Sequence, residues 1–165
     1  MIYKIINAEN ANWKKFKEIR LEALRTDEKA YGVSYDEEVL KPDSRWQEGL
    51  ARKEKPLFFI ELENGEYIGM AGAKPIDEEG AYMLIAVYLK ENYRGRGLAK
   101  ELIEFVEDFL QKQRVQKLDL MVNKEQLQAV NFYKKIGYKV IKEIKDQKMG
   151  DGKLYDEFYM SKLLN

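Results

Sequence analysis

The chain contains neither cysteine nor histidine. The first absence excludes a disulfide framework, a thiolate nucleophile and a cysteine-based zinc site. The second removes every imidazole base, every histidine-containing triad and every histidine metal ligand. No metal site is expected, and acid–base work is left to tyrosine, carboxylates, lysine or water. Proline is scarce: only Pro42, Pro56 and Pro75 occur, each at a boundary between predicted elements. Charge of one sign is also missing. Lysine plus arginine equals aspartate plus glutamate at 29 each, so the formal net charge is zero. A dedicated nucleic-acid binder usually carries a basic excess, so no nucleic-acid partner is expected. No apolar run approaches membrane-spanning length. Residues 1–6 lack the long apolar core of a signal peptide, which leaves a cytoplasmic protein without a membrane partner as the expectation.

What remains suits a single domain over residues 1–165, with 45% hydrophobic residues to build its core. Residues 1–6 read as a strand. Asn12 is placed to cap a helix in which Trp13, Phe16, Ile19 and Ala23 share a face. Residues 31–40 read as an acidic loop, and Asp43 or Ser44 starts a short helix running to about residue 52. Residues 57–60 are a buried-strand signal, Asn64-Gly65 a hairpin turn, and 67–73 the returning strand. Residues 82–89 form an apolar strand without clean alternation, which predicts burial on both faces. A helix follows with Leu98, Leu102, Phe105, Val106 and Phe109 as its stripe. Residues 118–122 are a strand, and 125–136 a helix stopped by Gly137. Strands at 138–145 and 155–162 flank a turn at Gly150-Asp151-Gly152. The order β-α-α-β-β-β-α-β-α-β-β predicts a mixed α/β fold, with antiparallel hairpins early and a parallel pair spanning residues 82–122.

The sharpest local signal is Arg94-Gly95-Arg96-Gly97-Leu98-Ala99, between a strand and a helix. Amides opening a helix have no internal partner, and the helix dipole adds positive potential. Glycines let the backbone approach a bulky anion, while Arg94, Arg96 and Lys100 add charge. The combination suits a pyrophosphate. Position 100 is lysine, which spoils a dinucleotide fingerprint, and the P-loop pattern is absent.

This run resembles the acetyl-CoA signature of the GCN5-related N-acetyltransferase (GNAT) superfamily, with Arg94, Gly97 and Ala99 at its fixed positions. Ala129, Tyr133, Gly137 and Tyr138 resemble the family's second cofactor motif. The resemblance spans nearly the whole chain and is strongest from Tyr82 to Tyr138. It implies a mainly antiparallel mixed sheet with helices on both faces and a parallel strand pair that parts at one end. Acetyl-CoA would be the co-substrate. Its pantetheine would lie in the gap against the backbone of Val87, Tyr88 and Leu89, and its pyrophosphate against Gly95, Arg96, Gly97, Leu98, Ala99 and Lys100. An amide near Leu89 would meet the acetyl carbonyl. Tyr133 would be the general acid at the departing thiolate, since a phenol with a pKa near 10 stays protonated at neutral pH.

The sequence also departs from the family's pattern. Gln126 stands where asparagine is common, with Asn123 and Asn131 as rival cofactor contacts. Met121 occupies the place of a glutamate base found in some peptide N-terminal acetyltransferases. No general base stands out; Asp119, Glu61 and Glu79 each read better as solvated surface carboxylates. Tyr31, Tyr35 and the run Asp36-Glu37-Glu38 fall where the family commonly borders its acceptor, yet a charged loop is usually just solvated. The resemblance implies acetyl transfer to the amine of a small molecule or peptide, directly within a ternary complex, and a possible homodimer. A non-catalytic acyl-CoA sensor and a nucleotide-binding protein are the alternatives.

Overall fold

A computed structural model describes residues 1–164. Among these, seven strands form one sheet: β1 (Tyr3–Asn7), β2 (Leu57–Leu62), β3 (Tyr67–Pro75), β4 (Ala81–Leu89), β5 (Lys117–Asn123), β6 (Lys139–Lys148) and β7 (Leu154–Leu163). The helices are α1 (Trp13–Thr26), α2 (Tyr35–Val39), α3 (Asp43–Ala51), α4 (Leu98–Lys112) and α5 (Leu127–Lys135). The sheet order is β1-β2-β3-β4-β5-β7-β6. Every neighbouring pair is antiparallel except β4 and β5.

Local chemistry accounts for the helix boundaries. The Asn12 side chain accepts the amides of Lys14 and Lys15, satisfying two donors that would otherwise be orphaned at the start of α1. α4 opens on Gly97, whose φ of +82° is a left-handed conformation that glycine adopts without strain. Leu98, Leu102 and Val106 bury its stripe, while Phe105 sits at the margin, edge-on to Phe58. One core layer lies between the sheet and α4 with α5, around Ile68, Ile103, Leu118 and Met160. A second lies on the opposite face under α1 and α3, around Phe16, Ile19, Trp46 and Phe59. Helices therefore cover both faces of a mainly antiparallel sheet, as expected.

Two expectations are corrected. Residues 31–40 are not all loop: Ser34 and Glu37 form a reciprocal capping box that starts α2. A single helical turn carries too little periodicity to read against so acidic a background. β4 is also not buried on both faces. Ile85, Ala86 and Val87 are only half-buried, because one side of the strand lines an open cleft.

The parallel pair makes that cleft. β4 and β5 are in register only at Ala81–Lys117, Tyr82–Leu118 and Met83–Asp119. Beyond these rungs β4 stays with β3 and β5 stays with β7, so the two part. A bulge assists the parting: the β3–β4 register slips between Met70 and Gly72, and Ala86 takes φ +55° opposite the slip.

The β6–β7 hairpin closes one end of the cleft by docking through its turn. The Gly150 amide donates to the carbonyls of Tyr31 (2.8 Å) and Glu28 (3.2 Å). A Cβ at position 150 would stand 2.6 Å from the Val33 carbonyl oxygen, a backbone atom that cannot give way cheaply. Gly152 has open space around it and instead needs its positive φ of +79°. Gly150→Ala should therefore cost about 1–3 kcal/mol through overpacking, and Gly152→Ala about 1–2 kcal/mol through left-handed strain. Urea unfolding measures both, and only Gly150→Ala should also increase proteolytic cleavage within residues 28–33.

Candidate active site

One cleft of about 1440 Å³ runs through the gap between β4 and β5. It is lined along one side by Leu84 to Leu89, along the other by Leu120 to Val122, and at its ends by two chemically different sets of residues.

The first end is the turn into α4. The earliest amide there to find a backbone acceptor is Glu101, which donates to Gly97 at 3.1 Å. The six amides from Gly95 to Lys100 have no acceptor among the described residues. Gly95 and Gly97 both have positive φ, and a Cβ on either would meet nothing within 4 Å. The turn is therefore a row of free donors at a helix N-terminus, with open space in front of them, and that arrangement favours an anion.

The walls carry backbone chemistry. Lys90 donates its amide to the Ile68 carbonyl at 2.9 Å. By the alternation of an antiparallel ladder, the amide and carbonyl of Leu89 then point away from β3, into the gap. The Leu89 carbonyl accepts from Arg94 Nε at 2.9 Å, and the Val87 carbonyl accepts from the Tyr31 hydroxyl at 2.8 Å. These two acceptors are already engaged, which leaves the amides as the free edge groups of β4.

Tyr133 lines the cleft from α5. Its ring packs edge-on to Tyr138 at 5.9 Å, and its hydroxyl makes no hydrogen bond among the described residues. Burial raises its pKa above the ordinary tyrosine value. Tyr138 is fixed in turn: its hydroxyl donates to Glu107 at 2.9 Å, and Lys162 donates to the other oxygen of that carboxylate at 2.6 Å.

Of the residues singled out from the sequence, Val87, Tyr88, Leu89, Arg94, Gly95, Gly97, Leu98, Ala99, Lys100, Gln126 and Tyr133 all line this cleft. Several do so with qualifications. The Tyr88 ring is buried against α1, with its hydroxyl donating to Glu22. Arg94 is turned back onto the Leu89 carbonyl and the Tyr88 ring. Gln126 donates to Asp27 at 2.6 Å, joining the end of α1 to the start of α5. Lys100 pairs with Glu104 one turn on. Three residues lie outside the cleft. Arg96 is exposed beside the Tyr93 ring. Asn131 is exposed on the outer side of α5, because the helical repeat that turns Ala129, Phe132 and Tyr133 inward turns it away. Asn123 is spent on structure, accepting the Glu125 amide and donating to the Lys29 carbonyl.

The second end of the cleft was largely missed in the sequence. Asp27, Tyr31, Lys148, Met149 and Glu157 line it. Burial raises the pKa of both Asp27 and Glu157, although Arg94, Gln126 and Lys29 pull Asp27 back. Arg20 stacks on the Tyr31 ring at 4.8 Å, and its Nη1 is buried without a partner. The acidic run of α2 is absent from the lining. Glu37 caps its own helix and Glu38 pairs with Lys41. Glu61 and Glu79 also lie outside it. Asp119 is no surface carboxylate: it is fully buried, bonded by the Tyr159 hydroxyl and 3.4 Å from Lys117. Glu157 did leave a trace in the sequence. It is an ionisable residue between Tyr155 and Tyr159 at the two-residue period of one strand face.

The fold and the motifs have known counterparts. In solved structures, the chain superposes on an acetyltransferase of the GNAT family from Streptococcus pneumoniae, with TM-score 0.78 and 18% identity over 99% of this chain and 100% of that one. It superposes equally on a ribosomal-protein-alanine N-acetyltransferase from Brucella melitensis, with TM-score 0.77, 19% identity and coverage of 99% and 100%. For Arabidopsis thaliana NAA60 in complex with acetyl-CoA the TM-score is 0.79, at 14% identity and 99% coverage of both chains. At such identities these likenesses concern the fold. No curated protein matches the sequence. Residues 13–138, which span the cleft-forming elements from α1 to Tyr138, match the Acetyltransferase (GNAT) family, and the chain belongs to that family.

Proposed function

We propose that this protein transfers the acetyl group of acetyl-CoA to a primary amine of a small molecule or peptide. The observation that carries the reading is the continuity of one cleft. It joins six free amides at a helix N-terminus to the parted strand edge, to a buried tyrosine hydroxyl, and then to a carboxylate-bearing end.

The residues present suit the cofactor. Free amides from Gly95 to Lys100 accept a pyrophosphate, and the open space before Gly95 and Gly97 gives it room. The edge of β4 at Val87 and Leu89 receives an extended arm in the manner of an added strand. Acetyl-CoA, when bound, supplies the thioester carbonyl that the amine attacks. The outward amide at Leu89 is suited to stabilise the oxygen that gains charge. Tyr133 gives its proton to the sulfur as it leaves. Its raised pKa keeps the hydroxyl protonated throughout the neutral range. With no cysteine in the chain, no acyl-cysteine can form, which supports direct transfer with both substrates bound.

Tyr133→Phe should lower kcat by about 10²–10⁴-fold, the usual worth of a placed acid, while the thermal shift given by acetyl-CoA stays as in wild type. Equal turnover by the variant removes the acid role. Gly97→Glu should abolish the shift with acetyl-CoA and with CoA, because a carboxylate then stands before the free amides. Gly97→Ala, which carries the same backbone strain without the charge, should retain part of it. ADP should shift wild type less than CoA does. An ADP response equal to that of CoA supports a nucleotide-binding protein instead.

A further inference from the structure

Asp27, Glu125 and Glu157 are the carboxylates that line the cleft, and they are not equivalent. Glu125 is exposed and faces Lys29 at 3.8 Å. Asp27 accepts from Gln126 and is balanced by Arg94 and Lys29. Glu157 is 7% exposed and has neither a hydrogen bond nor an ion pair from its side chain among the described residues. Its only outlet is the cleft, so the carboxylate is partly stripped of water and unpaired within the chain, and a cation arriving through the cleft would compensate it.

Its surroundings are well defined. β7 places Glu157 opposite Asn123 of β5 and Ile144 of β6. Asn123 is occupied with Lys29 and Glu125 backbone. Of the nearby charged groups, most are committed elsewhere; the exceptions on the lining are Lys148 and Arg20, which stacks on Tyr31. Asp119, on the same face of β5, is held by Tyr159 and Lys117. Lys29 faces Glu125 and the Tyr155 ring. Lys142 stacks on Tyr159, and Lys124 and Lys145 pair with Glu143. Lys148 lies on the cleft lining without an ion pair to Glu157.

We propose that Glu157 is the catalytic base of this enzyme: it receives the ammonium of the acceptor at the far end of the cleft and takes its proton. The assignment rests on the acetyl-transfer reading above and deepens it. The ammonium gives one proton to the Glu157 carboxylate, and the free amine forms the C–N bond to the acetyl carbon. The C–S bond breaks, and the sulfur takes the Tyr133 proton. The second proton lost by the nitrogen restores Tyr133, and Glu157 releases its own to water. Burial, which raises the pKa of Glu157, makes it a better acceptor for that proton than an exposed glutamate.

The test compares wild type with Glu157→Gln, using n-butylamine, spermidine and a tetra-alanine peptide as acceptors. The variant should lose about 10²–10⁴-fold in kcat/KM, with an unchanged thermal shift by acetyl-CoA. Its remaining activity should climb about tenfold per pH unit toward the acceptor's own pKa, because only amine already free in solution reacts. In wild type that acid limb lies far lower, at the pKa of Glu157. A residue of purely structural importance would not move the limb. Stability gives a second readout. The folded pKa is raised, so the ionised carboxylate weakens the fold as pH rises above the ordinary glutamate value near 4.3. Glu157→Gln should therefore melt at or above wild type at neutral pH, and the difference should vanish in acid. Wild-type kcat/KM and an unmoved pH profile in the variant overturn the assignment, as does a wild type that binds acetyl-CoA but acetylates none of these amines. A wild type that acetyl-CoA does not stabilise removes the underlying transfer reading itself.

Discussion

Everything in this molecule follows from three rungs of parallel pairing that are not continued. β4 and β5 start together and then separate, each held by its other neighbour. A sheet opened in its middle exposes backbone donors and acceptors that burial would otherwise make expensive. The chain settles part of that demand itself. Tyr31 reaches across from the segment after α1 to the Val87 carbonyl, and Arg94 returns to the Leu89 carbonyl. Both internal partners supply donors to carbonyls. The edge is thereby left rich in amides, an asymmetry that favours a ligand with carbonyl and phosphate acceptors over one with donors.

The same opening separates two electrostatic environments. At the α4 end, free amides and a helix dipole offer positive potential to an anion. At the β7 end, Asp27 and Glu157 offer negative charge in poorly solvated surroundings. On the proposed function, these two environments would receive an anionic donor and a cationic acceptor from opposite sides of Tyr133 and Leu89. The hairpin turn at Gly150 matters for this arrangement because it pins β6 and β7 against residues 28–33.

The α4 end of the cleft was legible in the sequence because its chemistry is local. Gly95 and Gly97 are contiguous with the helix start they serve, and Ala129, Tyr133 and Gly137 repeat at helical spacing. The parallel pair could be read from the strand–helix–strand order. The far end was hidden because its members are brought together from α1, the segment after it, and the last hairpin. Nothing near Asp27 in sequence announces Gln126, 99 positions away. The acidic run at residues 36–38 drew attention by charge density, yet capping and a local ion pair consume it. Asn131 was misplaced for a related reason: its type suits a cofactor contact, but the helix phase that buries Tyr133 turns it outward.

The distribution of unsatisfied groups argues for function independently of any motif. Side chains in this protein are generally well partnered: Asn12, Ser34, Asn123, Tyr138 and Glu107 each close a local account of donors and acceptors. Among the described residues the exceptions fall in two groups. Trp46 Nε1 and Asp119 Oδ1 are buried without a partner away from the cleft, while the cleft carries Arg20 Nη1, the Tyr133 hydroxyl, the Glu157 carboxylate and six consecutive amides without one. Sequences that are otherwise locally consistent tolerate such defects where a ligand completes them. Here the defects are also complementary along one path: donors where an anion would lie, a protonated phenol midway, and a carboxylate at the far end. Donors, a hydroxyl and a carboxylate lined along a single opening are what the proposed reaction between an acyl donor and an amine requires.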